Sequence, residues 1–168
     1  IEVISGNFLF GFDQGRDYLA VKSIVVDHKL TLIGSEVGGG GFFQGPGWYY
    51  LLSLPFYQWR GNPYGGMILM LMMGVLTITL SVAFGRKIFD IKTALTIGFF
   101  VAVSPAIIAQ SRFIWPPFVI SLLSVFFVFF LYKILQGSGK FFPLLTFTVG
   151  FMFHFEIATG ATLLFQLL

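Results

Sequence analysis

The run "YGGMILMLMMGVLTITLSVAF", from Tyr64 to Phe84, holds 21 consecutive residues without one charged side chain. A helix of about 20 apolar residues matches the roughly 30 Å hydrocarbon thickness of a bilayer. Composition extends the point to the whole chain, which is 57% hydrophobic and 10% charged with 23 Phe, against about 25% charged in an average soluble domain. A soluble core of this size has no room for that much apolar surface. The predicted class is an all-α, multispanning membrane protein with the lipid bilayer as its solvent.

Further spans follow the first. Thr93 to Ala109, Phe118 to Leu135 and the run from Phe141 to Leu168 are each predicted to cross, giving about four transmembrane helices. Trp48 to Trp59 is shorter, about 18 Å as a helix, and its aromatic ends suit an interfacial or re-entrant segment. The chain thus divides into residues 1–46, a first outer loop, and residues 47–168, a transmembrane region. Ile1 and the closing "IATGATLLFQLL" read as the edges of a fragment that lacks an earlier span.

Charge orients these pieces. "GRKIFDIK" and "YKILQGSGK" carry Arg86, Lys87, Lys92, Lys133 and Lys140 against Asp90 alone, which places both on the cytoplasmic side. "QSRFIWPP", residues 110–117, then faces outward. So does the first region, which holds five of the seven acids (Glu2, Asp13, Asp17, Asp27, Glu36), provided that Trp48 to Trp59 does not cross. The net charge of +3 is too small and scattered for nucleic acid, and the absence of Cys excludes disulfides and thiolate metal sites.

Within the first region Asp13 is placed to cap a helix from about Gln14 to Lys29. Its apolar stripe of Tyr18, Val21 and Val25, with Leu19 and Val26, predicts an amphipathic helix lying on the membrane surface. "GSEVGGGGFFQGPG" predicts a flexible loop. A carboxylate at a helix start can serve as a general base or simply cap, and spacing alone leaves both open for Asp13. Trp48 and Tyr49 can stack on sugars or anchor at the interface. Arg112 can meet a phosphate or snorkel from a span end, and Arg16 and Lys22 can meet the same phosphate or stay solvated.

Taken together, "FDQGRDYLAVKSIVVDHKLTLIG" and "GGGFFQGPGWYYLLSLPF", with Gly85 to Phe89, Ser104, Pro105 and Gln110 to Arg112 downstream, resemble the GT-C glycosyltransferases that use polyprenyl-phosphate sugars. Protein O-mannosyltransferases and the lipid A aminoarabinose transferase belong to that group. The resemblance implies a sugar moved from a polyprenyl-phosphate donor to a lipid, glycan or protein acceptor on the extracytoplasmic face of the plasma or inner membrane. It makes Asp13 the general base and puts Gln14, Arg16, Tyr18, Lys22, Gln44, Trp48, Tyr49, Arg112 and His154 around the substrates. Gln14 stands where relatives have a second acid, and Gln44 where aminoarabinose transferases have an acid tied to a divalent metal. A metal requirement is therefore left open, since Gln is a poor zinc ligand. His154 and Glu156 lie two residues apart, so on a continuous helix they point about 200° from each other and share no site. His154 is expected to line the cavity. A transporter or flippase module, or a noncatalytic membrane subunit, are the rival readings.

Overall fold

The computed structural model describes residues 9–37, 41–158 and 161, and they are mostly helical. Helix α1 spans Phe12–Val25, followed by two short antiparallel strands, β1 (Glu36–Val37) and β2 (Phe42–Phe43). Then come α2 (Gly47–Gln58), α3 (Tyr64–Ile88), α4 (Ile91–Ala102), α5 (Pro105–Gln110), α6 (Ile120–Leu135) and α7 (Phe142–Met152). Single 3₁₀ turns precede α6 (Pro116–Val119) and α7 (Gly139–Phe141).

Two of these elements are long and apolar enough to cross a membrane: Tyr64–Ile88, and Pro116–Leu135 counted with its leading turn. At 1.5 Å per residue they reach about 37 and 30 Å. The segment expected to cross from Thr93 to Ala109 is instead broken into α4 and α5. Pro105 has no N–H to continue the helix, and it restarts one with Ser104 as the preceding extended residue. The last expected span is helical over Phe142–Met152, turns at Phe153–Phe155 and is helical again at Ile157 and Ala158. Most of its remainder lies outside the described residues. Within the described residues these two segments hold shorter apolar helices, Ile91–Ala102 and Gly139–Met152.

Helix α1 also differs from expectation. Its N-cap is Gly11, whose N–H donates to Gln14 Oε1 at 2.9 Å, so Asp13 sits inside the first turn and caps nothing. A carboxylate there still meets the positive end of the helix dipole. The helix stops at Val25 rather than Lys29, because His28 takes a left-handed φ of 54° and Lys29 N–H returns to the Ser23 carbonyl. Gln14, Asp17, Tyr18 and Val21, at i, i+3, i+4 and i+7, form its buried face. Phe12, Leu19 and Val26 point outward. Its inner face packs on protein and includes the polar Gln14 and Asp17, while Asp13 and Lys22 are exposed.

Three contacts gather one end of the bundle. Gln14 Nε2 donates to the Ile114 carbonyl at 2.9 Å, tying α1 to the 110–117 loop. Tyr18 OH donates to the Pro63 carbonyl at the start of α3. Gly66 on α3 lies where α1, α2 and that loop meet: a Cβ built there comes within 2.5 Å of Tyr18 Oη and 2.9 Å of Ile114 Cδ1. At the opposite end Phe84 stacks on Phe129, and Phe130 on Phe141, joining α3, α6 and the turn before α7.

The packing at Gly66 gives a direct test. Gly66→Leu should destabilise the protein by about 1–3 kcal/mol through overpacking, read as a lower thermal midpoint in detergent. Gly139→Leu, where a Cβ meets open space, should leave that midpoint nearly unchanged.

Candidate functional site

Asp17 organises the end of the molecule that holds the polar residues. It is 2% exposed, and its carboxylate accepts three N–H bonds. Arg16 Nε and Nη2 donate to Oδ1 at 3.0 and 2.9 Å, and the Trp48 indole donates to Oδ2 at 2.8 Å. Arg16 also reaches Asp13 Oδ1 through Nη1 at 3.0 Å. One guanidinium therefore bridges a buried acid and a half-exposed one, and α2 hangs on the buried acid through Trp48. Desolvation opposes the charge on Arg16, but the adjoining carboxylates outweigh it and raise its pKa. Burial pushes the Asp17 carboxyl above its ordinary value, against the pull of Arg16 and Trp48. Burial likewise pushes the Tyr18 phenol up to about 12.

Beside this lock lies a cavity of about 460 Å³. Asp13 and Arg16 from α1 form one wall, and Ser35, Glu36, Val37 and Gln44 from the strand region another. Trp115, Pro116 and Pro117 close it, and Glu156, Ile157 and Ala158 complete it. Among the described residues its charged lining is three carboxylates and one guanidinium. Gln44 Oε1 is buried without a hydrogen-bond partner among the described residues. An acceptor atom left in that state is costly unless a donor reaches it.

The sequence-predicted residues divide accordingly. Asp13, Arg16 and Gln44 line the cavity. Gln14 is spent on Gly11 and Ile114. Tyr18, Trp48 and Tyr49 are buried in the core, where Trp48 serves Asp17, so none of the three is an open stacking surface. Lys22 and Arg112 are exposed and do not line the cavity, although the loop after Arg112 does.

His154 is not a lining residue either. Its Nδ1 accepts from Gly47 N–H at 3.1 Å, and its ring lies against Gly45 and Gly47 so closely that a Cβ at either would collide with it. These two glycines, read as flexibility, are there for close approach. Glu156 takes the cavity position instead. The helix has ended at Met152, so the expected 200° separation does not apply. Asp17 as the buried anchor and Glu156 as a lining acid were missed. The i, i+3, i+4, i+7 grouping of Gln14, Asp17, Tyr18 and Val21 was the available signal for the first; nothing local marked the second.

No group of three or more His, Asp or Glu among the described residues is arranged to hold a metal ion. The donors nearest that task include the neutral Gln44 amide, so the residues do not fit the metal that the resemblance associates with this position. No family model, no curated protein and no solved structure matches the chain.

Asp17→Ala should cost about 2–3 kcal/mol, because the indole N–H and the guanidinium lose their buried acceptor. Trp48→Phe, which removes one donor, should cost about 1–2 kcal/mol. Chemical denaturation checks both. Asp17 also sets a pH dependence. Its folded pKa is raised, so the native state holds the proton more tightly than the unfolded chain. Stability should then decline as the pH rises from the ordinary value of 3.8 through the folded one, and Asp17→Asn should flatten that decline.

Proposed function

We propose that this protein is a multispanning membrane glycosyltransferase. It moves a sugar from a polyprenyl-phosphate donor to a lipid, glycan or protein acceptor on the extracytoplasmic face, with Asp13 as general base. The observation that carries the reading is the shared cavity of Asp13, Gln44 and Trp115–Pro117 at the end opposite the basic linkers. Membrane embedding is supported by the outward apolar side chains of α3 (Leu71, Met72, Val75 and Leu76), which would otherwise face water.

Asp13 suits the base role better than Asp17. It is half exposed and reaches the cavity, whereas Asp17 is enclosed and already accepts three bonds. Arg16 holds the Asp13 carboxylate from one oxygen and leaves the other for an incoming hydroxyl or amine. A neighbouring O–H or N–H of the acceptor molecule can donate to Gln44 Oε1, which fixes its orientation. Asp13 takes the acceptor's proton as its oxygen or nitrogen attacks the anomeric carbon, and the lipid phosphate departs without needing protonation. One displacement inverts the anomeric centre. Arg16 is the cation lining this cavity, and its charge is shared with two carboxylates.

Gln14 and Gln44, standing where relatives carry acids, favour the rival of a noncatalytic membrane subunit; a transporter or flippase module is a further alternative. A radiolabelled polyprenyl-phosphate-sugar assay on the intact protein separates these readings. Label moved to an acceptor supports the transferase, whereas label carried across vesicles unchanged, or left untouched, opposes it. Asp13→Asn should lower transfer by about 10²–10⁴-fold with expression and donor binding retained. Turnover near that of the wild type would remove Asp13 from the mechanism.

A further inference from the structure

Another cavity lies at the opposite end of the molecule, around the stacked pair Phe84 and Phe129. It is a groove of about 270 Å³ between α3, α4 and α6, and Phe84, Ile88, Ile97, Val125 and Val128 dominate its lining. That volume is below the roughly 300–1,000 Å³ of sites for drug-sized ligands, and it suits a stretch of hydrocarbon chain. Val128 is 58% exposed, so the groove opens to the outer surface of the bundle.

The rim of the groove is cationic. Lys87 Nζ lies 5.9 Å from the centre of the Phe129 ring, and Lys133 Nζ lies 5.7 Å from the same centre. Phe129 itself lines the groove and stacks on Phe84. Two ammonium groups thus share one aromatic ring at the mouth of an apolar slot. Neither makes an ion pair among the described residues. Asp90, the one acid of this end among the described residues, is already committed: it caps α4 by accepting from Thr93 and from Lys92 N–H, which holds its carboxyl below the usual range. Arg86, Lys92 and Lys140 add to the same sign. Like charges held together without a counter-ion attract an anion, and here the anion must adjoin a hydrocarbon slot.

We propose that this groove binds an anionic glycerophospholipid of the surrounding leaflet. Its acyl chain lies along Ile97, Val125 and Val128, and its phosphate is held between Lys87 and Lys133. The inference rests on the reading that α3 and α6 cross a bilayer and is independent of any transferase activity. Alkaline extraction of membranes tests the embedding separately, so a failure there is distinguishable from a failure of the lipid site.

The experiment is native mass spectrometry of the purified full chain in detergent, offered phosphatidylglycerol or phosphatidylcholine. The wild type should retain phosphatidylglycerol in preference. Lys87→Gln/Lys133→Gln should lose that preference by about tenfold or more, since each basic residue near a lipid phosphate contributes severalfold. Lys87→Arg/Lys133→Arg should restore it, and Val128→Trp, which fills the exposed slot, should weaken retention with the charges intact. Equal retention of the two lipids by the wild type, or unchanged retention in the Gln variant, would overturn the site. So would displacement of the lipid by glycerol phosphate alone, or by a prenyl phosphate at equal concentration, because the slot would then not be reading a diacyl chain.

Discussion

A single enclosed carboxylate holds the polar end of this molecule together. Asp17 sits in the wall between α1 and α2, and its three N–H donors come from both helices. Desolvating such a group is expensive, and charge-assisted bonds on both oxygens offset much of that cost. The geometry then fixes everything nearby. Arg16 is pinned, so Asp13 is pinned through it; Trp48 is pinned, so the start of α2 and the loop before it are located too. Asp13 can remain half exposed because its neighbour bears the structural burden.

The molecule separates charge along its long axis. Five of its ten bases gather where α3 and α6 end, and most acids gather where α1 begins. Between them run helices whose outward faces are apolar. Helices that span a bilayer require such a distribution, and two of these are long and apolar enough to cross one. Each end carries its own cavity, and the two differ in kind. One is acidic and bordered by a neutral amide; the other is oily with a cationic rim.

How far the sequence could be read depended on the range of the interaction involved. The helix at Tyr64 was legible because its apolar run is continuous and its stop, at a basic cluster, is local. The interruption at Ser104–Pro105 was legible in principle, since proline's missing N–H acts on its own neighbourhood, but the apolar run on either side masked it. Periodicity found the stripe of Tyr18 and Val21 but could not say that it faces protein, because lipid and protein interiors favour the same side chains. Asp13 and Asp17, one turn apart, look alike in sequence; only the distant Trp48, which bonds Asp17, and the distant cavity wall at Trp115 distinguish anchor from lining residue. His154 left its expected place in the cavity lining, and Glu156, for which no place was expected, lines it, because the helix ended two residues before the first of them.

The loop carrying Gly45 and Gly47 is clasped by an imidazole 107 residues away from its hydrogen-bond donor, and α1 is tied to a carbonyl 100 residues downstream. A ribosome delivers the early segment long before either clasp exists. Neither clasp can close until Ile114 and His154 have left the ribosome, so the walls of the acidic cavity are drawn together by contacts made late in synthesis.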